Sequence, residues 1–182
     1  MTILFGNQTH IKCYHVQEHR PIELTAPIKC CDSEAWLGFG FYFWREEEFA
    51  HYWGQDKKVF GETKSYDIHS ADLNIENCLN TVFNEEHYLF FKKKIEETIQ
   101  YYKDKRKSVS LEEINRFLAE NIWTKLGVEG IIFDDKPTNP RYKNRQYSEI
   151  PNLYYKKRIQ IVVFELKNIC NFELFLKSQK QP

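Results

Sequence analysis

The sequence predicts an α+β fold, with strands toward both ends of the chain and helices between them rather than alternating βαβ units. Three observations predict it. The first third carries short β-branched and aromatic runs, culminating in residues 39–44 (Phe-Gly-Phe-Tyr-Phe-Trp). The middle third switches to the helical apolar period. Residues 159–165 (Ile-Gln-Ile-Val-Val-Phe-Glu) then return to strand, apolar on both faces as in the centre of a sheet.

In chain order, residues 11–16 form the first strand and 39–44 the second, separated by a loop marked by Pro21, Pro27 and the polar run Cys31-Asp32-Ser33-Glu34. From Arg45 to Trp53 the chain turns helical, with Phe49 and Trp53 four apart on one face. Residues 65–69 are a third strand, followed by a turn at 70–74. Asn84 caps a helix whose apolar stripe is Tyr88, Phe91, Ile95, Ile99 and Tyr102. Ser110 and Glu113 form a capping box opening a second helix, striped by Leu111, Ile114, Phe117, Leu118, Ile122 and Leu126 and stopped at Gly127. This helical insert covers about 84–127. Residues 130–133 are a short apolar strand ending in Asp134-Asp135, and the proline-bearing stretch 136–158 is irregular. The polar tail at 177–182 is expected to fray, and residues 1–182 read as one domain.

Composition removes several function classes. The 182 residues carry 26 Lys+Arg against 26 Asp+Glu, so no global polycation is present, although a local patch remains open. Aromatic residues make up 16% of the chain, enough to build a core despite a mean hydropathy of −0.63. No apolar run reaches the ~18–20 residues of a membrane span, and no signal-peptide layout is visible, so a cytoplasmic protein without a membrane partner is expected. Five cysteines without a C-x-x-C suit a reducing compartment and read as small buried hydrophobes. There is no G-x-G-x-x-G, no P-loop and no G-x-S-x-G. His15 and His19 are four apart but lack a zinc motif, so no metal is expected.

Three strands each place one polar group among apolar neighbours. Alternation puts His15 on the face of Ile11 and Cys13, Tyr42 on the face of Gly40 and Trp44, and Gln160 on the face of Val162 and Phe164. A glycine beside a tyrosine lets a ligand approach the backbone under a ring. Taken singly, each group is most simply a core residue satisfied by nearby backbone. Taken in order, they say more. Tyr14-His15, then residues 38–43 (Gly-Phe-Gly-Phe-Tyr-Phe) with Ala50-His51-Tyr52-Trp53 behind them, then residues 160–165 (Gln-Ile-Val-Val-Phe-Glu), resemble the ADP-ribosyltransferases. The resemblance is to the His-Tyr-Glu clade of diphtheria toxin and the poly-ADP-ribose polymerases, including its small bacterial toxin-like members.

That resemblance implies a split antiparallel β-sandwich, two small sheets splayed around a crevice for NAD with flanking helices. It implies that His15 bonds the adenosine ribose and that Tyr42 stacks on nicotinamide, with Tyr52 or Trp53 as second wall. Backbone at Val16 and Gly40 would lie near the ligand. Two positions depart from the pattern. Gln160 stands where the clade has Glu, so it offers a hydrogen bond but neither charge nor base; Glu165, five positions on, falls on the opposite face. Val16 stands where the clade has Gly, narrowing the pocket.

The stretch 136–158 lies where the family recognises its target. Lys136, Arg141, Lys143, Arg145, Lys156, Lys157 and Arg158 oppose Glu149 alone, with Tyr142, Tyr147, Tyr154 and Tyr155 interleaved. Cations for phosphates and rings for bases favour nucleic acid, RNA or DNA, over protein as acceptor, with Arg141, Lys143, Arg145, Tyr147, Tyr154 and Tyr155 as binding residues. The implied function is NAD-dependent mono-ADP-ribosyl transfer by a toxin-like effector of a toxin–antitoxin or anti-phage system, with an antitoxin protein as partner. Competing readings are an inactive nucleotide- or partner-binding module on the same fold, an NAD glycohydrolase, and an RNA 2′-phosphotransferase, for which Arg20 is the lone arginine near His15.

Overall fold

The structure, a computed structural model, describes residues 9–32, 35–60, 65–135 and 157–177, with the side chains of 57–60 excepted. Its strands are β1 (His10–Glu18), β2 (Phe41–Trp44), β3 (Tyr66–Asn74), β4 (Cys78–Asn80), β5 (Gly130–Asp134), β6 (Ile159–Val163) and β7 (Ile169–Lys177). The helices are α1 (Glu47–Phe60), α2 (Glu85–Asp104) and α3 (Leu111–Leu118). The fold is α+β. All seven strands form one sheet in the order β4-β5-β6-β2-β1-β3-β7, antiparallel except for β4 with β5.

The sheet has a seam. β1 and β3 pair continuously from His10↔Asn74 to Glu18↔Tyr66, and β2 pairs with β6 along its whole length. Between these blocks, β1 and β2 share the single pair Tyr14↔Trp44. Beyond that pair the backbones part, and the β2 carbonyls there need other partners.

Strand alternation sorts the side chains onto two faces. One face carries Ile11 and Cys13 of β1, Phe41 and Phe43 of β2, Ala71 and Leu73 of β3, and Ile159, Ile161 and Val163 of β6 in a single core cluster. No helical residue belongs to it, and it joins strands from both sides of the seam. On the other face the helices divide the work. α2, α3 and the turns after α3 cover Ile131 and Val162 through Phe91, Ile114, Leu118 and Trp123. α1 covers Ile68 and Trp44 through Phe49 and Ala50. Full burial of each such side chain contributes roughly 1.5–3 kcal/mol, so the two helical layers are separately anchored. The seam lies between them.

Most expected elements are present, with instructive differences. Asn84 caps α2 by accepting from the His87 amide, and the Ser110–Glu113 capping box opens α3. Gly127, at φ +70°, ends the helical turns as expected. The predicted turn at 70–74 is instead strand, because Ala71 and Leu73 pair with Cys13 and Ile11 and are buried with them. β4 and β7 were not foreseen. In the helical stripes, Tyr88, Leu111 and Leu126 are exposed, while the polar Thr98 and Asn115 are buried. Thr98 is satisfied by the Lys94 carbonyl at 2.8 Å. The expectation of five buried cysteines holds for Cys13 and Cys78; Cys31 and Cys170 are exposed because their loop and edge-strand positions leave them uncovered.

Candidate functional site

A cavity of about 400 Å³ opens on the helical face at the seam, lined by His15, Val16 and Gln17 of β1, Tyr42 and Trp44 of β2, Trp53 of α1, Gln160 of β6, Asp135 after β5, and loop residues 28–32, Ala35 and Trp36. His15, Tyr42 and Gln160, separated by up to 145 positions in sequence, therefore meet at one opening.

His15 reaches it through the seam. Where the β1–β2 ladder stops, its ring takes the missing strand's place: Nδ1–H donates to the Tyr42 carbonyl at 2.8 Å. The ring touches Phe43 and Phe172 (5.3 and 6.1 Å between centroids) and His15 is 5% exposed. Burial lowers its pKa to about 4, outweighing the Tyr42 carbonyl and the nearby Gln17 side chain, which favour a proton; cross-strand His69 adds to the lowering. The imidazole is neutral at pH 7. With the proton on Nδ1, the lone pair sits on Nε2, a buried atom with no hydrogen-bond partner among the described residues.

Tyr42 spends its hydroxyl locally. It donates to the Gly38 carbonyl at 2.7 Å and accepts from the Leu37 amide at 3.0 Å, tying the loop before β2 to the strand. Burial pushes the phenol's pKa well up, so it stays neutral. What Tyr42 offers the cavity is its ring.

Gln160 is held by a residue the sequence reading did not single out. Trp36 Nε1–H donates to Gln160 Oε1 at 2.8 Å. An indole can only donate, so this bond fixes the carboxamide with its NH2 group free of other partners among the described residues. Trp36 is in turn held by Asn115 of α3, whose Nδ2 donates to the Trp36 carbonyl at 2.6 Å, and by edge contact with Phe133 at 5.1 Å. The buried polar residue of α3 is thus a strut for the site.

Asp135 and Arg158 were also missed as site residues. The ladder carries on past Asp134↔Ile159, with the Asp135 amide donating to the Arg158 carbonyl at 2.8 Å. Arg158 Nη2 donates to Asp135 Oδ2 at 2.9 Å, and its guanidinium lies over Trp44 and Phe49 at 5.1 and 5.8 Å. Burial raises the Asp135 pKa, against the opposing pull of Arg158. Alternation could have found the pair, since Arg158 and Gln160 share a strand face.

Several expected site residues stand elsewhere. Tyr52 is not among the cavity residues; its ring packs on Phe49 at 6.2 Å and its hydroxyl donates to Glu48, because helical spacing turns it toward the α1 core. Trp53 lines the cavity, facing Trp44 at 6.1 Å. Gly40 is not among the cavity residues, and a Cβ there would lie 2.4 Å from Val162 Cγ2 and 2.9 Å from the Val163 carbonyl, so the close neighbour is β6 itself. Gly40→Ala is therefore expected to cost about 1–3 kcal/mol by urea unfolding, through displacement of β2 from β6. Glu165 is exposed and pairs with Lys167 at 3.0 Å.

Arg141, Lys143, Arg145, Tyr147, Tyr154 and Tyr155 lie outside the described residues. Of the cations counted with them, Lys157 and Arg158 are engaged by Asp134 and Asp135 at 3.2 and 2.9 Å, which reduces the charge available to a target. Among the described residues no helix is long and apolar enough to cross a membrane. Comparison of the chain with protein-family models, with curated proteins and with solved structures finds no match.

Proposed function

We propose that the seam cavity binds NAD and that the chain is a mono-ADP-ribosyltransferase of the split-sandwich type, acting on a macromolecule as a cytoplasmic, toxin-like effector. The observation that carries this reading is the convergence of His15, Tyr42 and Gln160, from three strands, on one cavity at the break in the sheet. The cavity's size falls in the range of small-molecule sites, and Trp36, Tyr42, Trp44 and Trp53 give it aromatic walls. The donor set fits a dinucleotide. His15 Nε2 is a buried acceptor without a partner among the described residues, which a ribose hydroxyl would satisfy if the ring turns toward the cavity. The Gln160 NH2 is a donor for a ribose oxygen, and the Tyr42 ring with Trp44 and Trp53 suits the electron-poor nicotinamide.

In this reading the chain's own groups bind and orient, holding the nicotinamide ribose in line for displacement, which supplies much of the rate. Nucleic acid is the favoured acceptor, on the strength of the basic and aromatic residues of 136–158, and an antitoxin would be the partner that restrains the activity. The uncharged Gln160 favours one competing reading, a module that binds nucleotide without turnover.

The test is incubation of the full chain with NAD labelled in the adenylate and with RNA, DNA and cell extract, following free nicotinamide and macromolecular label. Nicotinamide release with labelled polymer is expected. Calorimetric NAD binding without nicotinamide release selects the module, free ADP-ribose alone selects hydrolysis, and the absence of both binding and release removes the NAD reading.

A further inference from the structure

We propose that Asp135 supplies the negative charge of the site, facing the nicotinamide ribose and accepting the proton of the incoming acceptor. The proposal rests on the NAD reading above and assigns the role that Gln160 cannot fill.

Two carboxylates are among the cavity residues, Asp32 and Asp135. Asp32 belongs to an exposed loop, where water screens its charge. Asp135 lines the cavity with a side chain 22% exposed. Strand pairing places it. Gln160 is opposite Phe133, so Asp135, two residues beyond Phe133 on the same face, is the diagonal neighbour of Gln160, on the order of 7–8 Å away by sheet geometry. A ribose bonded to the Gln160 NH2 would span that interval.

The ion pair is oriented rather than neutralised at the site. Asp135 lines the cavity and Arg158 does not: Arg158 is 7% exposed, its guanidinium packed against Trp44 and Phe49. Arg158 bonds Oδ2, and Oδ1 has no hydrogen-bond partner among the described residues. A buried cation thus fixes one carboxylate oxygen, and the other is not engaged by it. A negative charge held in a partly desolvated wall stabilises an oxocarbenium-like centre more than the same charge in water.

The step balances as follows. The bond from ribose C1′ to the nicotinamide nitrogen breaks, with its electron pair passing to that nitrogen and cancelling the pyridinium charge. A new bond forms from C1′ to an oxygen or nitrogen of the acceptor, whose proton passes to Asp135 Oδ1 and then to solvent. The other charged groups about Asp135 are Arg158, the adjacent Asp134, and Lys29 and Asp32 across the cavity; His15 is neutral.

The experiment compares full-length wild type, Asp135→Asn and Asp135→Glu for NAD affinity by calorimetry and for nicotinamide release across pH. Asp135→Asn is expected to keep the wild-type Kd for NAD within about threefold while release falls about 10²–10⁴-fold, the range for loss of a positioned base. Asp135→Glu is expected to recover part of the rate. Wild-type release should rise with pH as Asp135 ionises and then level, a limb absent from Asp135→Asn. If Asp135→Asn is unfolded, the neutral pair Asp135→Asn with Arg158→Gln is measured instead, with the same expectation. Wild-type turnover and pH profile in the folded variant overturn the proposal, as does a parallel loss of NAD affinity and rate. Wild type that neither binds nor cleaves NAD overturns the NAD reading, and the role of Asp135 with it.

Discussion

Tyr42→Ala is expected to weaken NAD binding about 10–100-fold and to lower the unfolding free energy by about 3–5 kcal/mol. Both effects follow from one ring. It packs at the edge of the helical core, paired across the sheet with Val162, and it lines the cavity. Tyr42→Phe separates them. That variant keeps the ring but leaves the Gly38 carbonyl and the Leu37 amide without the hydroxyl they share, a loss of about 1–3 kcal/mol for stranded polar groups. Its NAD affinity should stay within a few-fold of wild type, since the hydroxyl is committed to the loop. Calorimetric titration with NAD and urea unfolding of the three proteins read the two quantities independently. Unimpaired NAD binding by folded Tyr42→Ala would show that the ring is structural only.

The elements legible in the sequence were those whose signal is local. The Ser110–Glu113 box needs only four residues, and the all-apolar 159–163 run declares a central strand whatever lies beside it. Where the signal was split between distant segments, reading failed. Residues 70–74 look like a turn because Ser, Asp and Asn are turn formers, yet their apolar alternates are claimed by β1. β7 alternates weakly and carries Asn171 at φ +52°, so nothing in its own composition announces the edge strand that docks on β3.

The site divides along the same line. His15, Tyr42 and Gln160 stood out as polar interruptions of apolar strands, and they share a cavity. Alternation put His15 on the face of Ile11 and Cys13, which in the sheet is the strand-packed core face rather than that of Tyr42 and Gln160; the end of the β1–β2 ladder after Tyr14↔Trp44 is where its ring meets the cavity. Trp36 and Asn115 were invisible for a different reason: a tryptophan in a loop and an asparagine in a helix have no pattern, and their meaning is a hydrogen-bond chain from α3 through the loop to β6. Arg158 is counted with the basic target-recognition stretch 136–158 because charge counting ignores which strand face a residue occupies.

His15 gives the second large effect, and its sign is fixed by the direction of its shift. The unfolded ring titrates near 6.5 and the folded ring at about 4, so the native state resists a proton that the unfolded state accepts. The contribution is fully present above the unfolded value and is lost as pH falls from about 6.5 toward 4, roughly 3 kcal/mol in all. His69, also lowered by burial and stacked on Phe172 at 4.7 Å, acts in the same direction. His15→Gln keeps a donor for the Tyr42 carbonyl but does not titrate, so its urea-unfolding stability should fall less steeply with acid, with His69 supplying the slope that remains. NAD affinity should behave differently. A ring already neutral down to about 4 presents the same Nε2 acceptor at about pH 5.5 as at about pH 7.5, so on its account the Kd for NAD should not change. An imidazole titrating normally would lose about tenfold over that interval. A loss of that size in wild type, absent in His15→Gln, would mean that the ring is open to protons and that the seam does not seal it as its burial implies.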